Sequence, residues 1–459
     1  MYKLEFTLKQ HTPLIHFQHD QAGATLRATE VKPKLDKFII KEIGEIDKLK
    51  KDHPEWLIGE GKPDALDYKI KFIPTNQSIE FLKSPEYKDK PSNPLFFGNM
   101  GDAPVKHYSI VDKIKVIIFS FNHDLVTFLN EERVCRFFLL NNFSTRSSKG
   151  FGCFYPIEYN GNVVTTKQDK LVPPNTIRIE IASGKKEDIF ATIDYFWKWL
   201  KSGINYSQAK IYKDSILKLF ISDTTKYKWE KRKIKELFLG LPDDSDSKFF
   251  ARAFLGLPDN FSYKWIASAN RKKGEVYSSI DLTINIKCKD EEIQRNPSPL
   301  FFVPFTQNSK TTIYIFVNST HLQRLVNKEF ELTAQATPLS LPIGYDPNKK
   351  RDTLKKIYPD MTKKEMANIL DEAKDYLEEL VDEKVRKKQK LLIEKAQDFV
   401  DFFNSRASKL ITGKQIIETP DSAPNLSQLL DFAITKIGYT FDVKDFNGNT
   451  VVTAKVIKS

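Results

Sequence analysis

At 459 residues the chain exceeds the roughly 250–300 residues at which a single hydrophobic core stops growing, so at least two domains are expected. Hydrophobic residues at 40% and charged residues at 29%, with only 18 Gly and 23 Pro, exclude a disordered or fibrous chain. The 72 Lys and Arg outnumber 60 Asp and Glu for a formal charge of +12, a surplus that attracts polyanions: nucleic acid first, an acidic protein surface second.

Cys135, Cys153 and Cys288 form an odd set without CxxC spacing, which supports neither a disulfide framework nor a zinc knuckle and fits a reducing cytoplasm. No apolar run approaches the ~18 residues of a membrane span, so no membrane partner is expected. The opening MYKLEFTLKQ alternates apolar and polar residues with period two and lacks a basic segment followed by an apolar core. It reads as a half-buried strand through Tyr2, Leu4, Phe6 and Leu8, with His11, His16 and His19 past its end.

A loop and an amphipathic helix follow, with Leu35, Phe38, Ile39 and Ile43 on one face and Lys34, Lys37 and Lys41 off it. Residues 48–100, rich in Pro, Lys and Asp around a YKIKFIP strand, read as an insertion with a mobile tip. HYSIVDKIKVIIFSF is a strong strand, and Leu125 to Leu140 read as one helix packed on a sheet. A glycine loop and the strand CFYPIEYN complete the order strand, helix, strand, strand, helix, loop, strand. That is the split βαβ order of a ferredoxin-like domain over residues 1–175.

A second α+β unit is expected over 176–347, from NTIRIEIAS through IFATIDYFWKWLKSGI to SPLFFVPF and TTIYIFV. Residues 348–459 hold a long helix with Thr362 and Glu365 in capping-box positions, and a terminal hairpin turning at Asn447-Gly448. The long helix carries nearly balanced charge, which favours packing within the chain over an RNA contact.

The glycine loop, NNFSTRSSKGFGCFYP from Asn141 to Pro156, carries the chemistry. Gly150 and Gly152 can turn backbone N–H groups toward an anion, Arg146 and Lys149 add charge, and Ser147 and Ser148 add neutral donors, as do Ser144 and Thr145. The GxxxxGK[ST] spacing of a Walker A loop is absent. The alternative reading is a glycine-punctuated turn with solvated cations.

Position separates the two. A glycine-rich loop after the second helix of a split βαβ unit resembles the RAMP superfamily of CRISPR-associated proteins, and three further stretches narrow the resemblance. TPLIHFQHDQAGATLRATEVKPKLDKF, ARAFLGLP and RNPSPLFFVPF are similar, in that order, to motifs of the first-subunit family of the Cmr, type III-B, effector module. Ala28-Thr29-Glu30 interrupt the N-terminal signature. The resemblance implies tandem ferredoxin-like, RRM-like α+β domains and a non-catalytic antiviral-defence subunit. Its partners would be single-stranded RNA, guide or target, and other RAMP subunits, with no cofactor and no metal. It carries RNA contacts onto Arg27, Lys32, Arg146, Lys149, Gly150 and Gly152, with Lys37 near the last basic position of the signature and Ser147 and Ser148 added as the loop's neutral donors; Arg252 and Arg295, in the later motifs, are split between an RNA contact and an internal salt bridge.

Phe17, Trp56, Phe151 and Phe154 are candidate base-stacking surfaces, the last two with a core role as the competing assignment. His16 and His19 define the enzymatic alternative, metal-independent cleavage of guide RNA by some RAMP relatives; a third alternative is an assembly protein whose basic patches meet acidic neighbours.

Overall fold

The computed structural model describes residues 1–15, 25–59, 65–78, 86–87, 90–91, 110–206, 209–224, 228–229, 248–256, 260–266, 279–291, 293, 298–318, 322–339, 415–420 and 422–458. Period-two alternation makes Tyr2–Gln10 a strand (β1) that buries Leu4, Phe6 and Leu8 and turns Lys3, Glu5 and Thr7 outward. It lies between two antiparallel neighbours, Ile110–Ser120 on one side and Phe154–Tyr159 on the other.

Helix α1, Ala28–Ile43, buries Val31, Leu35, Phe38 and Ile39 and stops at Gly44, whose φ of 107° only glycine adopts cheaply. Strand β2, Lys69–Ser78, pairs with β3, Ile110–Ser120. Thus YKIKFIP, which falls within the stretch read as an insertion, is a framework strand. Between β2 and β3, residues 79–109 lie outside the described residues except for the short strand pair Glu86–Tyr87 and Lys90–Pro91.

The single helix expected over 125–140 is two helices. Asn130 ends α2, His123–Phe128, and caps α3, Glu131–Leu140, its side chain accepting from the Arg133 amide at 2.9 Å. Strands β4, Phe154–Tyr159, and β5, Asn162–Val163, complete a sheet of order β2-β3-β1-β4-β5.

A second sheet repeats the scheme with distant pieces of chain. Strand β6, Ile177–Ile181, is followed by α4, Lys186–Lys201; then come β7, Leu300–Gln307, and β8, Lys310–Val317. Helix α5, Leu426–Ile437, leads into the hairpin of β9, Thr440–Lys444, and β10, Thr450–Lys458. The order is β7-β8-β6-β10-β9, antiparallel throughout. Gly448, at φ 89°, turns the hairpin, and Asp445 ties it by accepting from the amides of Asn447 and Asn449.

Both sheets belong to one compact unit, Met1–Phe220 with Ser298–Thr320 and Pro424–Ser459; Ile221–Pro297 and His321–Ala423 form the other. The units are discontinuous in sequence, whereas the domains read from the sequence, 1–175, 176–347 and 348–459, are contiguous. The terminal hairpin is a part of the second sheet because β10 pairs with β6 from Ala454↔Ile181 to Lys458↔Ile177. In the second unit Asn260–Ile266, Ser279–Cys288, Glu329–Leu339 and Gln415–Glu418 make an antiparallel sheet. The long helix expected near 362–403 lies outside the described residues. Among the described residues no helix is long and apolar enough to cross a membrane.

Candidate nucleic-acid interface

The glycine loop leaves α3 at Asn141 and tightens at once. Ser144 and Arg146 both take left-handed φ, 67° and 61°, a 3-10 turn spans Ser147–Lys149, and Gly150 and Gly152 follow at φ 86° and 68°. The glycines serve packing. A Cβ on Gly152 would stand 2.0 Å from the Phe143 carbonyl oxygen, and one on Gly150 would meet Ile193 at 2.9 Å and Pro304 at 3.2 Å.

Two of the sequence motifs fasten this loop. Thr12 donates through its hydroxyl to the Gly150 carbonyl at 2.6 Å and accepts from the Cys153 amide at 3.0 Å, while the Gly152 amide donates to the Pro13 carbonyl at 2.8 Å. Asn142 donates through its side chain to the Ser147 carbonyl at 2.7 Å and the Phe302 carbonyl at 2.8 Å. The TPL and SPLFF segments therefore hold the loop from both sides. Backbone groups expected to face an anion are instead spent on the protein's own chain.

Lys149 corrects the expectation most sharply. Its ammonium is buried, lies 2.8 Å from the centroid of the Trp197 ring, and makes no hydrogen bond. Burial holds its pKa well below the usual lysine range, with Lys201 pushing the same way and Asp194 opposing. A group so enclosed does not reach a surface phosphate.

Lys32 is likewise occupied: its ammonium donates to Asp36 at 2.9 Å and to the Leu66 carbonyl at 2.8 Å, and caps the Tyr68 ring at 4.2 Å. Arg27 and Lys37 are exposed, and with Lys41 they follow the three-and-four spacing of one stripe on α1. None of these three side chains makes a hydrogen bond or ion pair among the described residues.

Helix α1 meets the loop through Glu30 and Lys34. Glu30 accepts from the Ser144 amide, and the Ser144 hydroxyl donates to the Ile15 carbonyl. Lys34 donates to the Asn142 carbonyl at 3.0 Å, pairs with Glu30 at 3.6 Å and covers the Phe143 ring at 4.7 Å. Burial lowers the Lys34 pKa, with Glu30 pulling it back. These contacts tie the first half of α1 to Asn142, Phe143 and Ser144, in the loop that also carries half-buried Arg146, Ser147 and Ser148. Glu30 and Lys34 escaped the sequence reading, although their i,i+4 spacing next to the signature was a usable signal.

The expected stacking surfaces are core. Trp56 is buried against His53, ring centroids 4.2 Å apart, and against Phe128; Phe151 stacks on Phe190 at 4.0 Å; Phe154 packs on Phe143. Arg252 is buried as well. His11 accepts from the Thr306 amide at 3.1 Å, and burial lowers its pKa to about 3, so it is a neutral structural group. His16, Phe17, His19 and Arg295 lie outside the described residues.

Comparison with known proteins follows the same lines. Residues 1–204 match the Cmr1 N-terminal domain and residues 212–398 the Cmr1 C-terminal domain. The solved crystal structure of Cmr1 from Pyrococcus furiosus, in its apo form, is similar at 14% identity over 69% of this chain and 87% of that one, with a TM-score of 0.35. No curated protein matches the chain. With two successive domain models of one family laid along it, the chain belongs to the Cmr1 family, RAMP subunits of the type III-B Cmr effector.

Proposed function

We propose that this chain is a non-catalytic RNA-holding subunit of a cytoplasmic type III-B effector, gripping guide or target RNA by its phosphates beside other RAMP subunits. Its scaffold is a tandem of ferredoxin-like halves. In each sheet the strand that opens the half stands next to the third: the order is 2-3-1-4-5 in the first sheet, with β5 at the edge, and 2-3-1-5-4 in the second, where β10 takes the inner place and β9 the edge. The grip lies in Arg27, Lys37 and Arg146, with Ser147 and Ser148 as neutral donors. Gly150 and Gly152 shape the turn that presents them.

One observation carries this reading: Arg27, Lys37 and Lys41, exposed along one stripe at α1, make no hydrogen bond or ion pair among the described residues, and Glu30 and Lys34 tie the same helix to the loop that carries Arg146. Unpaired cations in a row are suited to a polyphosphate chain, because each phosphate neutralised releases condensed counterions.

Binding of an unstructured single-stranded RNA, followed by fluorescence anisotropy across a salt series, tests it. Arg27→Ala/Lys37→Ala/Arg146→Ala is expected to reduce the slope of log affinity against log salt by about 2, at roughly 0.7 per phosphate. An unchanged slope removes this surface from the RNA path. The same RNA is expected to stay intact with the isolated chain; shortened products would reassign the protein to the endoribonucleases.

A further inference from the structure

The outward face of the second sheet contains a groove of about 420 Å³ on β6, β8, β9 and β10. Strand pairing aligns Thr312, Glu180, Lys455 and Thr440 in one row across four strands. Two residues along each strand the pleat returns to the same face, which adds Lys310, Ala182 and Thr453. Ala182, the smallest of these side chains, leaves the space, and the volume lies within the roughly 300–1,000 Å³ typical of small-molecule sites.

The charges on this face divide into engaged and unengaged ones. On this face Arg178 is taken by Asp169 at 2.7 Å, and Asp442 by the Thr453 hydroxyl at 2.8 Å and by Lys444. Glu180, Lys310 and Lys455 make no hydrogen bond or ion pair among the described residues, although Glu180 stands directly across from Lys455. Opposite charges on facing strand positions ordinarily meet. Here they stay apart, with an open groove between two ammonium groups and a carboxylate.

A carboxylate in a cationic groove opposes a bare phosphate, so it suits a ligand that brings hydrogen-bond donors along with its anion. A ribonucleotide does: its phosphate oxygens accept from ammonium groups, and its 2′-OH donates to a carboxylate. We infer that this groove holds one ribonucleotide of the bound strand, Lys310 and Lys455 on its phosphates and Glu180 on its 2′-OH. The inference rests on the RNA-binding reading above and adds to it a second contact surface that distinguishes RNA from DNA.

The test uses the full chain with the same single-stranded RNA and its 2′-deoxy counterpart. Lys310→Ala/Lys455→Ala is expected to reduce the salt slope by about 1.4, and Glu180→Ala to reduce the preference for RNA over DNA about tenfold, the effect of one hydrogen bond to a charged group. All three side chains reach solvent, and melting curves matching the wild type verify folding. If both variants keep the wild-type slope and preference while Arg27→Ala/Lys37→Ala/Arg146→Ala flattens the slope, the groove is not an RNA site and the first reading stands. If the wild type binds neither strand, both readings fall.

Discussion

Gly152 and Lys149 are three residues apart and answer to different physics. At Gly152 any side chain meets the Phe143 carbonyl, in a backbone conformation that L-residues adopt only under strain. Gly152→Ala is therefore expected to lower unfolding stability by about 3 kcal/mol or more in urea titrations. At Gly150 the added methyl meets side-chain atoms of Ile193 and Pro304, which yield more readily than backbone. Gly150→Ala is the milder variant, and equal losses at the two positions would contradict the assignment.

Lys149 makes stability depend on pH. Burial depresses its pKa in the folded chain, so between that depressed value and 10.5 the unfolded chain carries more protons than the folded one. Stability from this group consequently rises with pH across that window and falls as pH drops through it. Lys149→Met removes the titrating group while filling the space against Trp197. The stability advantage of the methionine variant over wild type is expected to shrink between pH 7 and about pH 10; an advantage that stays constant contradicts a buried, depressed ammonium.

At the scale of elements, the terminal hairpin is the instructive piece. Its Asn447-Gly448 turn and alternating strands were legible in the sequence because they depend on a few neighbouring residues. Its place against β6 was not, because that pairing joins Ala454 to Ile181 across more than half the chain. Deleting 438–459 is expected to strip β6 of one neighbour and give an aggregating chain with lost second-sheet hydrogen-exchange protection. A soluble product with full protection would show the hairpin to be an appendage.

The same division of local from distant explains the other outcomes. The α1 face of Leu35, Phe38 and Ile39 and the alternation of β1 were readable from spacing alone. The helix break at Asn130 also had a local cause, a capping asparagine, that the apolar pattern on both sides concealed. Composition marked Lys149 and Trp56 as chemistry and divided Phe151 and Phe154 between stacking and the core, because composition does not say which side of a turn meets solvent. Lys149 and Phe151 are enclosed by Trp197 and Phe190 of α4 and Trp56 by Phe128 of α2, elements remote from them in sequence, while Phe154 packs on Phe143 of its own loop.

For the molecule as a whole, the excess of 72 basic over 60 acidic residues matters less than where partners are lacking. Many cations are spent internally, as with Lys32 on Asp36 and Lys328 on Asp290. A partly exposed pair such as Lys328 and Asp290 contributes little to stability, on the order of 0–1 kcal/mol. Among the described residues the cations without a hydrogen bond or ion pair include Arg27, Lys37 and Lys41 on α1 and Lys310 and Lys455 on the second sheet, the two places where the proposed RNA contacts lie.

The central claim is that exposed α1 and turn cations grip RNA while the glycine loop's lysine serves the fold. It is tested most directly by measuring the salt dependence of RNA binding side by side for wild type, Arg27→Ala/Lys37→Ala/Arg146→Ala and Lys149→Met. The triple variant is expected to lose about 2 from the slope, at roughly 0.7 per phosphate, and Lys149→Met to retain it in full. A flattened slope for Lys149→Met alongside an unchanged triple variant would contradict it.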